Sequence, residues 1–154
     1  MARLIIEGQH SLAGEVSIEG SKNSALPIIT AAALASQGVS ILENVPRYTD
    51  ILDLCEILRQ LGATVTWHHN TQLRIDASQL RGHIAPYELA SKLRGSTYVI
   101  GLLLTRLGKA DVAFPGGCQI GSRPVNFHVR GFEALGATMG LEHGSILGKV
   151  DGPL

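Results

Sequence analysis

The stretch "FPGGCQIGSRPVNFH", Phe114 to His128, holds the residues best suited to do chemistry. Cys118 sits among Gly116, Gly117 and Gly121, where a loop is expected and a packed element is not. Glycines let a backbone bend closely around a ligand. Arg123 follows five residues on, and Pro124 suits the first turn of the helix that "PVNFHVRGFEALG" predicts. A thiol beside a guanidinium and a helix N-terminus has its thiolate favoured. The other use of a cysteine is as a small apolar filler. Cys55, inside "ILDLCEILR", fits that use. Cys118 has no apolar neighbourhood to fill.

Two basic groups stand at predicted helix mouths. "GSKNSA", Gly20 to Ala25, puts Lys22 and Asn23 where a helix begins. The free N–H groups and dipole there favour an anion, and Lys22 adds a full charge. The spacing is not that of a P-loop, so a nucleoside triphosphate is not implied. The plainer alternatives are a solvated lysine and an N-cap asparagine. In "ASKLRGSTY", Arg94 follows Lys92 at a second such mouth. A guanidinium grips a phosphate or carboxylate through two parallel hydrogen bonds; the alternative is a surface arginine. The six histidines are scattered. His68 and His69 are neighbours in a predicted strand and point to opposite faces, so no metal site is expected. Basic groups at helix mouths and one acidic thiol describe a site for a small, heavily anionic ligand.

The elements that must hold these groups follow from pattern. "RLIIEG" and "EVSIEG" read as short strands. "SALPIITAAALAS" is apolar on every face, which predicts a buried helix with Pro27 in its first turn. "VSILENV" reads as a strand. "TDILDLCEILRQLG" reads as an amphipathic helix with Thr49 as N-cap and Gly62 just past its end. "TVTWHH" and "QLRIDA" form a hairpin.

The unit then recurs. "SKNSALPIITAAALAS" at Ser21 lies over "SKLRGSTYVIGLLLTR" at Ser91, a shift of 70. "VSILENV" lies over "ADVAFPG". "LRQLGATV" at Leu58 lies over "FEALGATM" at Phe132, a shift of 74. Two copies of one supersecondary unit are therefore expected. Four residues are inserted in the second copy, on the "PGGCQIGS" loop. An insertion confined to one loop of a shared scaffold points to function there. Both ends of the chain read as the front of something longer.

Composition narrows the class. Of 154 residues, 45% are hydrophobic and 17% charged, the balance of a globular fold. Lys and Arg number 13, as do Asp and Glu, so no net field draws nucleic acid or an anionic membrane. No run approaches the roughly 20 apolar residues of a membrane span. Two unpatterned cysteines fit a reducing, cytoplasmic setting. Aromatic content of 5% leaves little for base stacking.

"KN" at Lys22 and Asn23, "LRGS" at Arg94 and "PGGCQIGSRPV" around Cys118 resemble the UDP-N-acetylglucosamine enolpyruvyl transferases (1-carboxyvinyltransferases). The resemblance runs along the whole chain and covers the first third or so of a family member. It implies an α/β fold, an inside-out α/β barrel of repeated βαβαββ units, with two repeats present. Residues 1–20 would be N-terminal strands, the first belonging to a missing second domain. Residues 21–80 would be the first repeat. Residues 81–154 would be the second, with the catalytic-cysteine loop at 114–124.

The activity implied is transfer of the enolpyruvyl group from phosphoenolpyruvate to the 3′-hydroxyl of UDP-N-acetylglucosamine, the first committed step of peptidoglycan synthesis. Lys22 and Asn23 correspond to the phosphoenolpyruvate site. Arg94, Arg123, Pro124, Val125, Asn126 and Phe127 correspond to the sugar-nucleotide site. Cys118 corresponds to the thiol that protonates C3 and that fosfomycin alkylates. Asn126 stands where the family usually has aspartate. The resemblance implies no cofactor, no nucleic acid, no membrane, and a monomer at full length. The family's general base lies beyond these residues, so the chain alone is expected to have negligible transferase activity. The alternatives are the sister enzyme acting on shikimate 3-phosphate, which lacks this cysteine loop, and a non-catalytic anion-binding remnant. A missing third copy would leave "AAALA" and "VIGLLL" exposed and the piece prone to aggregate.

Overall fold

The computed structural model describes residues 3–9, 11–93, 95–115, 125–152 and 154. Helix α1 runs Lys22–Ala32. Ser21 caps it, its hydroxyl accepting from the Ser24 amide at 3.4 Å. Pro27 is the sixth residue of α1, not in the first turn, so the Asn23 carbonyl lacks the amide that would bond it. Only one face of α1 is buried, through Ala25, Leu26, Ile29 and Thr30; Ile28 on the other side is exposed. The all-round apolar pattern overstates the burial, since Ile28 and Ala31 both face outward.

Strand β1 spans Ser40–Leu42, and helix α2 spans Thr49–Gln60. The cap of α2 is Tyr48, one residue before the expected Thr49, while Gly62 follows the helix end with φ 106°. Ile51, Leu54, Cys55, Ile57 and Leu58 form the buried stripe of α2. Strands β2 (Thr64–His68) and β3 (Gln72–Asp76) form the hairpin. His69 is a turn residue with φ 49°, and only His68 is in the strand.

The second half has a short helix α3 (Tyr87–Ala90), a long α4 (Ser96–Leu107) and strand β4 (Lys109–Ala113). Helix α5 (Asn126–Ala134) and the hairpin β5 (Thr138–Glu142) and β6 (Ser145–Lys149) complete it. His143 and Gly144 both have positive φ, the pattern of a two-residue hairpin turn.

Each half builds one antiparallel sheet, ordered β1-β3-β2 and β4-β6-β5. The ladders fix which residues correspond. One row reads Ser40–Ile75–Val65, the other Ala110–Gly148–Met139. Ser40 and Ala110 stand 70 apart, Val65 and Met139 stand 74 apart, and Ile75 and Gly148 stand 73 apart, so the four-residue change of shift falls between β4 and β5. "SIL" therefore lies over "ADV", one place from the sequence alignment. In the second sheet β4 also meets a parallel bridge, Ile84 to Asp111.

Three expectations change. Residues 3–9 and 11–20 carry no strand. Their alternating apolar residues, Ile5 and Val16 among them, find no ladder and stay exposed, and a strand without a partner does not hold. The "VIGLLL" face is covered: Val99, Ile100, Leu102, Leu103 and Leu104 are buried, where α4 packs on β4 and α1. Helix α4 also starts at Ser96, later than the shift of 70 from Lys22 would place it.

One core joins the halves, with Ile29 and Leu58 at its first-half side and Val99 and Val112 at its second. Arg106, in the last turn of α4, crosses between them. Its Nη1 donates to the carbonyls of Ala33 and Ala35 at 3.0 Å, and its Nη2 to that of Ala77 at 2.9 Å.

Candidate anion site at the mouth of the first helix

Lys22 and Asn23 open α1 directly after the Ser21 cap, so both sit in the turn whose amides lack intrahelical partners. Asn23 is exposed and Lys22 half-buried. The Lys22 ammonium does not hang free. It donates to Oδ2 of Asp50, in the first turn of α2, at 2.6 Å.

Two further contacts tie the same segments. The Tyr48 hydroxyl donates to the Glu19 carboxylate at 3.1 Å. That bond, then the charge of Glu19, holds the Tyr48 hydroxyl above the ordinary tyrosine range. Gly20 lies flat against the Asn44 carbonyl, where any Cβ would collide with the oxygen. Only glycine permits that approach. Residues 19–22 are thus clasped by residues 44–50.

Beside this clasp is an open groove of about 220 Å³ between α1 and the end of β1. Ser21, Ser24 and Ile28 line one wall, and residues 41–45 the other. Neither Lys22 nor Asn23 is among the residues that line it, and the acidic Glu43 is.

The other expected residues divide in two. Arg94, Cys118, Arg123 and Pro124 lie outside the described residues. Val125 is buried just before α5, Asn126 is the first residue of α5, and Phe127 is 74% exposed. Lys92 is not at a helix mouth; it stands in the turn before α4, 3.8 Å from Glu88. Gly95, next to α4, packs on Leu26 of α1, which brings the start of α4 against the first helix. Among the described residues no group of three or more His, Cys, Asp or Glu stands ready for a metal ion. Nor is any described helix long and apolar enough to cross a membrane.

Sequence reasoning missed Asp50, Tyr48 and Glu19. Asp50 reads locally as an acidic first-turn residue, and no periodicity links it to a lysine 28 positions away.

Residues 6–152 match the family described as EPSP synthase (3-phosphoshikimate 1-carboxyvinyltransferase). The chain is 60% identical over 148 residues to UDP-N-acetylglucosamine 1-carboxyvinyltransferase 2 of Symbiobacterium thermophilum, covering 96% of this chain and 35% of that protein. It is 47% identical over 154 residues to the UDP-N-acetylglucosamine 1-carboxyvinyltransferase of Shewanella woodyi, covering all of this chain and 36% of that one. Among solved structures, the enolpyruvyl transferase NikO from Streptomyces tendae superposes with a TM-score of 0.77 at 27% identity. That match covers 91% of this chain and 30% of NikO. The chain therefore spans about a third of the length of the relatives it matches.

Proposed function

The chain belongs to the EPSP synthase (3-phosphoshikimate 1-carboxyvinyltransferase) family, and from that membership we propose that it forms the front part of a UDP-N-acetylglucosamine enolpyruvyl transferase. The substrates are phosphoenolpyruvate and UDP-N-acetylglucosamine, the setting is cytoplasmic, and the product enters peptidoglycan synthesis. The observation that carries this reading is 60% identity, along almost the whole chain, to a relative named for that reaction. The sister activity on shikimate 3-phosphate shares the family but has no comparable support.

In this reading Lys22 and Asn23 hold phosphoenolpyruvate at the mouth of α1, and Arg94 with residues 123–127 holds the sugar nucleotide. The 3′-hydroxyl adds to C2 of phosphoenolpyruvate while Cys118 gives its proton to C3. Loss of a C3 proton then expels phosphate and restores the double bond. A general acid must reach one carbon and shed water as it does so, which suits a thiol on a glycine loop. The twice-repeated helix–strand–helix–hairpin order supports an inside-out barrel of such units, 21–80 and 81–154 being two of them. The groups that would deprotonate the hydroxyl lie outside the chain.

The test is a chimera in which this chain replaces the matching third of the Symbiobacterium thermophilum relative. Phosphate release with phosphoenolpyruvate and UDP-N-acetylglucosamine is expected, with a fall of 100-fold or more, about the loss of one general acid, in Cys118→Ala. Fosfomycin should add to Cys118 and not Cys55 in a mass spectrum. The isolated chain should release essentially no phosphate. Turnover with shikimate 3-phosphate, or undiminished turnover in Cys118→Ala, overturns the reading.

A further inference from the structure

We infer that Asp50 is a positioning residue for Lys22, fixing its ammonium at the α1 mouth for phosphoenolpyruvate; the inference rests on the reading of Lys22 given above. The geometry is one of anchoring. Asp50 is held in the first turn of α2, where the helix dipole favours a carboxylate. Its Oδ2 takes one of the three ammonium protons at 2.6 Å. Two donors remain for an incoming anion.

The pair does little for stability. Both side chains are 42% exposed, and exposed ion pairs contribute little to folding. What the pair does remove is freedom. A lysine on a four-carbon stem samples many rotamers, and each must be given up when it grips a ligand. The clasp of residues 19–22 by residues 44–50 removes that freedom beforehand: Gly20 sits on the Asn44 carbonyl and Tyr48 holds Glu19. Lys22 is the member of that clasp whose charge suits the ligand.

The experiment uses the 154-residue chain labelled with ¹⁵N-lysine. There are four lysines, so the ammonium signals are few, and Lys22→Arg assigns the one of interest. Phosphoenolpyruvate is titrated into the parent chain, Asp50→Asn, Asp50→Glu and Lys22→Ala, with melting temperatures alongside. Asp50→Asn should move the Lys22 signal to the free-lysine position and weaken phosphoenolpyruvate binding about three- to tenfold, the scale of one side chain's ordering. Asp50→Glu should restore most of both, with the melting temperature unchanged. If Asp50→Asn binds phosphoenolpyruvate as tightly as the parent, or tighter, while Lys22→Ala weakens it, Asp50 is no positioning residue and the reading of Lys22 stands. If Lys22→Ala changes nothing, or the parent binds no phosphoenolpyruvate, the reading of Lys22 falls and the inference with it.

Discussion

Cys55 has no exposed surface, and burial pushes its thiol from an ordinary 9.0 up to about 11. The charge of Arg59 pulls the other way by less than burial pushes, and Glu56 adds to the rise. A raised folded value means the neutral thiol is favoured by folding. That stability is complete below the unfolded value and is lost as pH climbs through the folded one. Unfolding free energy should therefore fall by a few kcal/mol between about pH 9 and pH 11. Denaturant titrations at pH 8 and pH 10.5 measure it. Cys55→Ala, though less stable throughout, should show a shallower fall. An equally steep fall in that variant would assign the effect to other groups.

At the scale of elements, the junction between the halves rests on Arg106 as well as on apolar packing. Three carbonyls end at this one guanidinium, two after α1 and one after β3. Hydrogen bonds to a charged donor contribute more than neutral ones, and carbonyls left without a partner cost more again. Arg106→Ala should lower stability by about 2–4 kcal/mol, seen as a lower urea midpoint. Arg106→Lys should recover less than half, since an ammonium cannot span the planar fork. The contrast with α2 shows what a sequence discloses. The stripe Ile51, Leu54, Cys55, Leu58 repeats at helical spacing, so α2 and its buried cysteine are plain on reading. Both hairpins and the 70-to-74 change of shift are plain too, since they repeat. Arg106, Asp50 and Tyr48 act on partners tens of positions away, and nothing local marks them. The strands expected before Ser21 failed for a related reason: alternation describes one face of a strand but supplies no neighbour to pair with.

Across the whole molecule, two sheets of the same order are finished to different degrees. On the second, the Asp111 amide donates outward to the His83 carbonyl at 2.8 Å, and the Ala85 amide returns the bond to Asp111. The ladder rows make Ile41 the counterpart of Asp111 on the first sheet. Its outward side has no such bridge among the described residues, and Ile41 is 51% exposed. In heavy water the amide of Ile41 should trade its proton within the fast phase, while that of Asp111 keeps its own far longer. Matching lifetimes at these twin positions would mean that both margins are equally sealed. Unequal ones would mark the first margin as the seam along which this fold is still receptive to another length of backbone.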